Sequence, residues 1–246
     1  MNITNKTILI TGAGSGIGFE TAKLLSQKGN KVIIAGRNAA KIKKAGEALN
    51  LTAIVCDVTI EADLDNLVRR IEAEFGELSV LINNAGVANL YKLGTGANAY
   101  EKAKTEFETN YFAPVRLTEK LLPLLGRQPE AAIVNISSNV SFQPLVVLPT
   151  YSDTKAALHS HTVALRLTLA RDTGIKVFEV MPSLIDTEAT KDMGGENGLP
   201  PGVVANDIFN GIESDQYEIY VGDTGMQHAA YFADPVQATN LFNQGL

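Results

Sequence analysis

Short unbroken apolar runs alternate along the chain with longer stretches in which apolar residues recur every three or four positions. Thr7-Ile8-Leu9-Ile10, Lys31–Ala35, Ala53–Cys56, Val80–Ile82, Ala132–Ile136, Lys176–Val180 and Glu218–Val221 read as strands. Helical spacing predicts helices over Gly16–Lys28, Asn38–Leu49, Ala62–Phe75, Ala99–Leu125 and Thr150–Asp172. Gly29 ends the first of these, and Pro114 and Pro123 mark kinks or ends in the fourth. Strands that are apolar throughout belong in a parallel sheet with helices on both faces, and strand–helix alternation gives a doubly wound α/β fold. No linker, repeat or composition shift divides residues 1–246, so one domain is expected, with ligands outside the carboxyl ends of its strands. Thr187–Gly202, rich in Gly and Pro, reads as a flap over that edge, with a plain surface loop as the alternative. Met226–Phe242 reads as a further helical segment.

Composition narrows the function classes. Apolar residues make up 45% of the 246 and charged residues 20%, which argues for a packed core and against disorder. The net charge of −6 speaks against a broad nucleic-acid or anionic-membrane surface and leaves room for a local basic pocket around one phosphate. With Cys56 alone, no internal disulfide and no cysteine-based zinc site can form. His159, His161 and His228 lack metal-ligand spacing and read as core or surface histidines, so no metal is expected. The N-terminus lacks a basic region followed by an apolar stretch, and no apolar run approaches the roughly 18 residues of a membrane helix; a soluble, cytoplasmic protein is expected.

The first strand runs into Thr11-Gly12-Ala13-Gly14-Ser15-Gly16-Ile17-Gly18, a turn opening a helix. Glycines there admit a diphosphate close to the backbone, and the free N–H groups of the helix start favour its charge. The spacing is T-G-x-x-x-G-x-G rather than G-x-G-x-x-G. The second strand ends at Ala35-Gly36-Arg37, where a carboxylate would accept the ribose 2′-hydroxyl of NAD. Arg37 stands there instead, with Lys41 nearby, a pattern that suits the 2′-phosphate of NADP; a solvated arginine at a helix start is the plainer reading.

Tyr-x-x-x-Lys occurs twice, at Tyr100–Lys104 and Tyr151–Lys155, and chance supplies about 0.4 such pairs in this composition. Tyr100 lies in a charged run that reads as a solvated face. Tyr151 opens a helix with a mostly apolar following face and comes thirteen residues after Ser138, which stands at the carboxyl end of a strand.

Taken in order with Asp57 after the third strand, Asn83-Asn84-Ala85-Gly86 after the fourth, Asn110, and Pro182 to Thr187, these residues resemble the classical short-chain dehydrogenases/reductases from about Thr7 to Thr187. The resemblance implies a Rossmann-type sheet and hydride transfer between a nicotinamide and a carbonyl or alcohol. It makes Tyr151 the general acid/base, Lys155 the charge that steadies its phenolate and holds the nicotinamide ribose, and Ser138 the partner of the substrate oxygen. Asn110 would fix a water between Lys155 and solvent. Cofactor contacts would come from Gly12, Ser15, Gly16, Ile17, Gly18, Arg37, Asp57 and Val58 at the adenosine and diphosphate end. Asn83, Ala85, Gly86, Tyr151, Lys155, Pro182, Ile185 and Thr187 would serve the ribose and nicotinamide end.

Two departures from the family pattern stand out. Ser183 replaces the usual glycine after Pro182, and the tail from Tyr220 lacks the family ending that builds a tetramer interface. A homodimer through Ala99–Leu125 and Thr150–Asp172 is therefore expected ahead of a tetramer. Pro144–Tyr151 and the short tail are similar to small reductases associated with D-alanine transfer genes. The expected substrate is a small, largely apolar carbonyl or alcohol, with NADP(H) preferred and NAD(H) as the alternative. Two rivals remain: a catalytically weak dinucleotide-binding sensor or scaffold on the same fold, and a Rossmann-like methyltransferase, which normally wants an acid where Arg37 stands.

Overall fold

The computed structural model describes residues 1–246. Seven strands, β1 (Thr7–Thr11), β2 (Lys31–Gly36), β3 (Thr52–Val55), β4 (Leu78–Asn83), β5 (Ala131–Ile136), β6 (Ile175–Pro182) and β7 (Glu218–Val221), form one parallel sheet in the order β3-β2-β1-β4-β5-β6-β7. The order reverses direction at β1, opening a crevice between β1 and β4 at their carboxyl ends.

Alternation along each strand divides the core in two. Ile8, Ile10, Ile34 and Val134 pack on one face with α1 (Gly16–Gln27), α2 (Ala39–Leu49) and α7 (Pro201–Glu213). Leu9, Ile33, Ile133 and Val177 pack on the other with α3 (Glu61–Glu74) and α5 (Ala113–Leu125). Each fully buried Leu or Ile stabilises the fold by roughly 1.5–3 kcal/mol. No helix is long and apolar enough to cross a membrane.

The structure differs from the sequence pattern in three places. The stretch expected as one helix over Ala99–Leu125 is α4 (Ala99–Phe107), a π-helical turn over Glu108–Phe112, and α5. Pro114 follows closely on that π-helical turn, whose helical backbone at Phe112 and Ala113 runs into α5 without a break. Helix α7 carries buried Val204, Ala205, Ile208 and Ile212 at helical spacing, a pattern hidden behind Pro200-Pro201, which looks like loop. The tail is two helices, α8 (Thr224–Ala233) and α9 (Pro235–Phe242), with Asp234 capping the second through Gln237 N–H at 3.0 Å. They fold back towards the carboxyl edge of the sheet, where they meet the segment after β5 and the loop that leads into the long helix α6 (Pro149–Asp172).

Candidate active site

A cleft of about 900 Å³ lies along the carboxyl edge of the sheet. At one end the turn after β1 presents Gly12, Ser15, Gly16 and Ile17. The backbone there needs glycine. Gly12 has φ +68°, and a Cβ on it would sit 2.7 Å from Ala85 Cα. The turn thus lies against the turn after β4, and α1 points its N-terminus into the cleft, an arrangement suited to a diphosphate. Gly18 lies behind the wall and keeps α1 close to Asn84, whose Nδ2 donates to Thr11 O at 2.9 Å and Gly12 O at 3.2 Å.

Arg37, Asp57, Val58, Ala85 and Gly86 line the same end. Arg37 is exposed and forms no salt bridge. Lys41 is held instead by Glu188, with Nζ 2.7 Å from its carboxylate. Asp57 spends Oδ1 on the turn, accepting from Thr59 N at 3.0 Å and Thr59 Oγ1 at 2.8 Å. Asn83 is a correction. Its side chain faces inward, 3% exposed, and donates to Asn135 Oδ1 at 2.9 Å and Thr118 Oγ1 at 3.2 Å. It ties strands together, and the cleft wall is made by Asn84, Ala85 and Gly86.

The other end holds Ser138, Tyr151 and Lys155. Ser138 follows β5, where its hydroxyl donates to Asn139 Oδ1 at 3.0 Å and accepts from Val140 N at 3.3 Å. Tyr151 and Lys155 lie one turn apart on α6, with the ammonium 5.5 Å from the phenol ring centroid. Lys155 is buried and donates to Ile136 O at 2.8 Å. Burial pushes the Tyr151 phenol up to about 12 against the pull of a Ser138 hydrogen bond, and burial brings the Lys155 ammonium down to about 8 against the carboxylate of Glu179.

Asn110 stands in the π-helical turn, fully buried and outside the cleft. Its Oδ1 accepts from Val87 N at 2.9 Å, while Nδ2 donates to Val87 O at 2.8 Å and Thr154 Oγ1 at 3.0 Å. Its amide thus fastens the segment after β4 to α6. Gly86 passes between Asn110 and Lys155, its Cβ position 3.5 Å from Asn110 Oδ1 and 4.0 Å from Lys155 Nζ.

Pro182, Ile185 and Thr187 complete the wall after β6. Thr187 reaches the glycine-rich turn, with its Cγ2 3.1 Å from the Cβ position of Gly16. Ser183, where the family pattern has glycine, is accommodated because Gly222 (φ +65°) has no Cβ, which would lie 2.6 Å from Ser183 Oγ. The 187–202 segment folds into two 3₁₀ turns, Glu188–Met193 and Gly195–Asn197. Its base is pinned by Asp186 N to Leu199 O at 2.8 Å and Leu199 N to Leu184 O at 3.0 Å.

Sequence reasoning missed five residues. Glu106 on α4 is fully buried, its Oε1 accepting from Asn89 N at 2.7 Å and its Oε2 from Thr150 Oγ1, which orders the segment after β4 against the start of α6. Gln227 on α8 accepts from Asn139 Nδ2 at 2.9 Å, and Phe242 and Leu246 line the cleft from the tail. Glu179, in the middle of β6, is also fully buried. A carboxylate inside an apolar strand run is a signal that the sequence carries for Glu179; for the others there is none. No cluster of His, Cys, Asp and Glu suited to a metal ion is present, and the Cys56 thiol, buried beside Asp63 and Asp57, is pushed up to about 12.

Comparison with known proteins places this geometry. The short chain dehydrogenase sequence model matches residues 6–197. The chain is 39% identical to the uncharacterized oxidoreductase DltE of Bacillus subtilis over 91% of its own length and 85% of the relative's, in keeping with the likeness to reductases of D-alanine transfer genes. It is 32% identical to an uncharacterized oxidoreductase of Staphylococcus epidermidis, over 84% of this chain and 90% of that one. Among solved structures, a short chain dehydrogenase from Burkholderia cenocepacia in complex with NADP superposes with a TM-score of 0.87 at 24% identity, covering 100% of both chains. A 3-ketoacyl-(acyl-carrier-protein) reductase from Brucella melitensis complexed with NADH gives 0.82 at 26% identity, over 91% of this chain and 100% of that one. The chain belongs to the short-chain dehydrogenase/reductase family of NAD(P)-dependent oxidoreductases.

Proposed function

We propose that the protein is a cytoplasmic, NADP(H)-preferring reductase that interconverts a small, largely apolar ketone or aldehyde with its alcohol. One observation carries this reading: Ser138, Tyr151 and Lys155 share a cleft with the glycine-rich turn and Arg37. The residues fit a dinucleotide, since the close approach at Gly12 and Gly16 leaves backbone where side chains would otherwise stand. Gly12, Ser15, Gly16 and Ile17 would hold its diphosphate, Arg37 its 2′-phosphate, and Asp57 and Val58 its adenine. Ala85, Gly86, Lys155, Pro182, Ile185 and Thr187 would hold the ribose and nicotinamide, which supplies the hydride when bound.

The chain's own part is proton handling and orientation. Tyr151, a phenol in this buried site, donates its proton to the carbonyl oxygen as charge develops there. Lys155 offsets the negative charge left on the phenolate, and Ser138 donates a hydrogen bond to the same substrate oxygen. For that, Ser138 turns its proton away from Asn139. Asn110 keeps α6 and the segment after β4 in register, and the loosened backbone of its π-helical turn suits a water leading to Lys155. Leu90, Leu145, Val147, Leu148 and Phe242 give the substrate end its apolar character, with the 187–202 segment as the flap. One domain carries the whole site. Exposed Tyr100 and Phe112 on the α4–α5 stretch and Leu167 on α6 support a homodimer through those faces.

The test is oxidation of NADPH and of NADH by the purified protein against a panel of ketones and aldehydes. Turnover with NADPH favoured supports the reading, whereas tight NADPH binding without turnover of any carbonyl would leave a dinucleotide-binding sensor or scaffold in its place.

A further inference from the structure

Glu179 is a carboxylate in the middle of β6, the strand next to the β7 edge of the sheet, with none of its surface exposed. Burying a charge there costs several kcal/mol unless it is paired, so its partners indicate what it does. Just past β5, Ser137 donates its hydroxyl to Glu179 Oε1 at 2.5 Å. On α6, His159 Nδ1 lies 2.8 Å from Oε2 and is partly open to solvent. Lys155 precedes His159 by one helical turn on the same face, and its ammonium is anchored to Ile136 O, the residue next to Ser137. The carboxylate thus lies beneath the 155–159 turn of α6, beside Ile136 at the end of β5 and Ser137 just after it, which hold the lysine and the carboxylate in turn. The other charged or titratable groups near it are Arg166 on α6, bonded to Val177 O and Tyr217 O, and Glu218 on β7, which holds Arg166 and Tyr220.

We infer that Glu179 is the positioning residue that keeps Lys155 charged, with His159 joining its carboxylate to solvent. Three groups of this set are ionisable: buried Glu179 and Lys155, and His159, which is partly open to solvent. Without an anion, the dry environment of Lys155 would favour the neutral amine, and Glu179 opposes that loss. The same carboxylate raises the affinity of His159 for its proton, chiefly through their hydrogen bond. The value of this arrangement to catalysis rests on the proposed role of Lys155 beside Tyr151; the electrostatic link itself does not.

The experiment reads Lys155 directly. In protein labelled with ¹³C-lysine, the Lys155 side-chain Cε signal, assigned by its absence in Lys155→Met, is titrated by NMR alongside the three histidines. Glu179→Gln keeps the shape and a hydrogen-bonding partner for both Ser137 and His159. The expected result is a fall of about one pH unit in the Lys155 midpoint and a lower His159 midpoint. An unchanged Lys155 midpoint in folded Glu179→Gln overturns the inference. His159→Gln, which retains an amide donor, leaves the Lys155 midpoint at or above its wild-type position. A fall there as large as in Glu179→Gln would assign the effect to the imidazole and equally overturn it. Because the readout needs no turnover, a protein that shows these shifts but reduces no carbonyl would refute the proposed activity alone.

Discussion

Lys41 on α2 and Glu188 in the segment after β6 meet at 2.7 Å. Both are exposed, so the pair adds little to stability, yet it occupies the lysine that stands nearest Arg37 in the basic run. Arg37, which forms no salt bridge, is then the cation proposed to meet a 2′-phosphate. Arg37→Ala should weaken NADPH binding at least about tenfold more than NADH binding, the scale of a lost charge-assisted hydrogen bond. Glu188→Gln should release Lys41 and tighten NADPH without changing NADH. Dissociation constants from nicotinamide fluorescence check both, and equal effects of Arg37→Ala on the two dinucleotides would reduce the arginine to a solvated helix start.

Tyr151→Phe should lower carbonyl reduction by more than about 10²-fold while NADPH affinity stays within a factor of about two. The hydroxyl is lost without a change in packing, so near-normal turnover would remove Tyr151 as the acid. The wild-type pH profile follows from the charges. Tyr151, pushed up to about 12, is protonated throughout the neutral range, whereas Lys155, brought down to about 8, loses its charge well below the ordinary lysine value. Reduction should therefore be level at low pH and decline above about 8, and steady-state rates across the range will show whether it does.

The strands and the Tyr151 and Lys155 pairing were legible because each is a local pattern: an apolar run bounded by turns, or two side chains one helical turn apart. Helix α7 has an equally regular pattern, but Pro200-Pro201 and the preceding glycines mask its start. Asn83 shows the opposite failure. Its turn is rightly placed, yet the last residue of β4 points into the sheet because side chains alternate, and only register decides which asparagine meets the cleft. The tail's part in the cleft could not be read at all, since Asn139 and Gln227 are 88 positions apart and neither lies in a motif.

That tail yields a prediction of its own. Asn243, just past α9, accepts from Val146 N at 2.8 Å and donates to Pro144 O at 3.1 Å, which fastens the tail to the loop before α6. Phe242 beside it lines the cleft. Asn243→Ala should raise the KM for the carbonyl substrate by about two- to tenfold, the range of one or two hydrogen bonds, with little change in Tm because the site is exposed. A large drop in Tm with unchanged KM would make the contact a structural clasp alone.

The glycine-rich turn separates two glycines that look alike in sequence. Gly12 adopts φ +68°, and a Cβ there would meet Ala85 Cα at 2.7 Å and Ala85 N at 2.9 Å, backbone atoms that cannot step aside. Gly14 lies outside the left-handed region, and its nearest neighbour would be Lys41 Cβ at 3.4 Å, an ordinary contact. Gly12→Ala should thus cost more than the about 1–2 kcal/mol of a left-handed residue alone and abolish dinucleotide binding, since relief requires parting the β1 and β4 turns. Gly14→Ala should stay within about 0.5 kcal/mol of the wild type. Urea unfolding midpoints and NADPH titration of the two variants measure the difference. Equal tolerance at both positions would mean that the turn is not held by contact with Ala85, and with it would go the argument that this close approach shapes the diphosphate site.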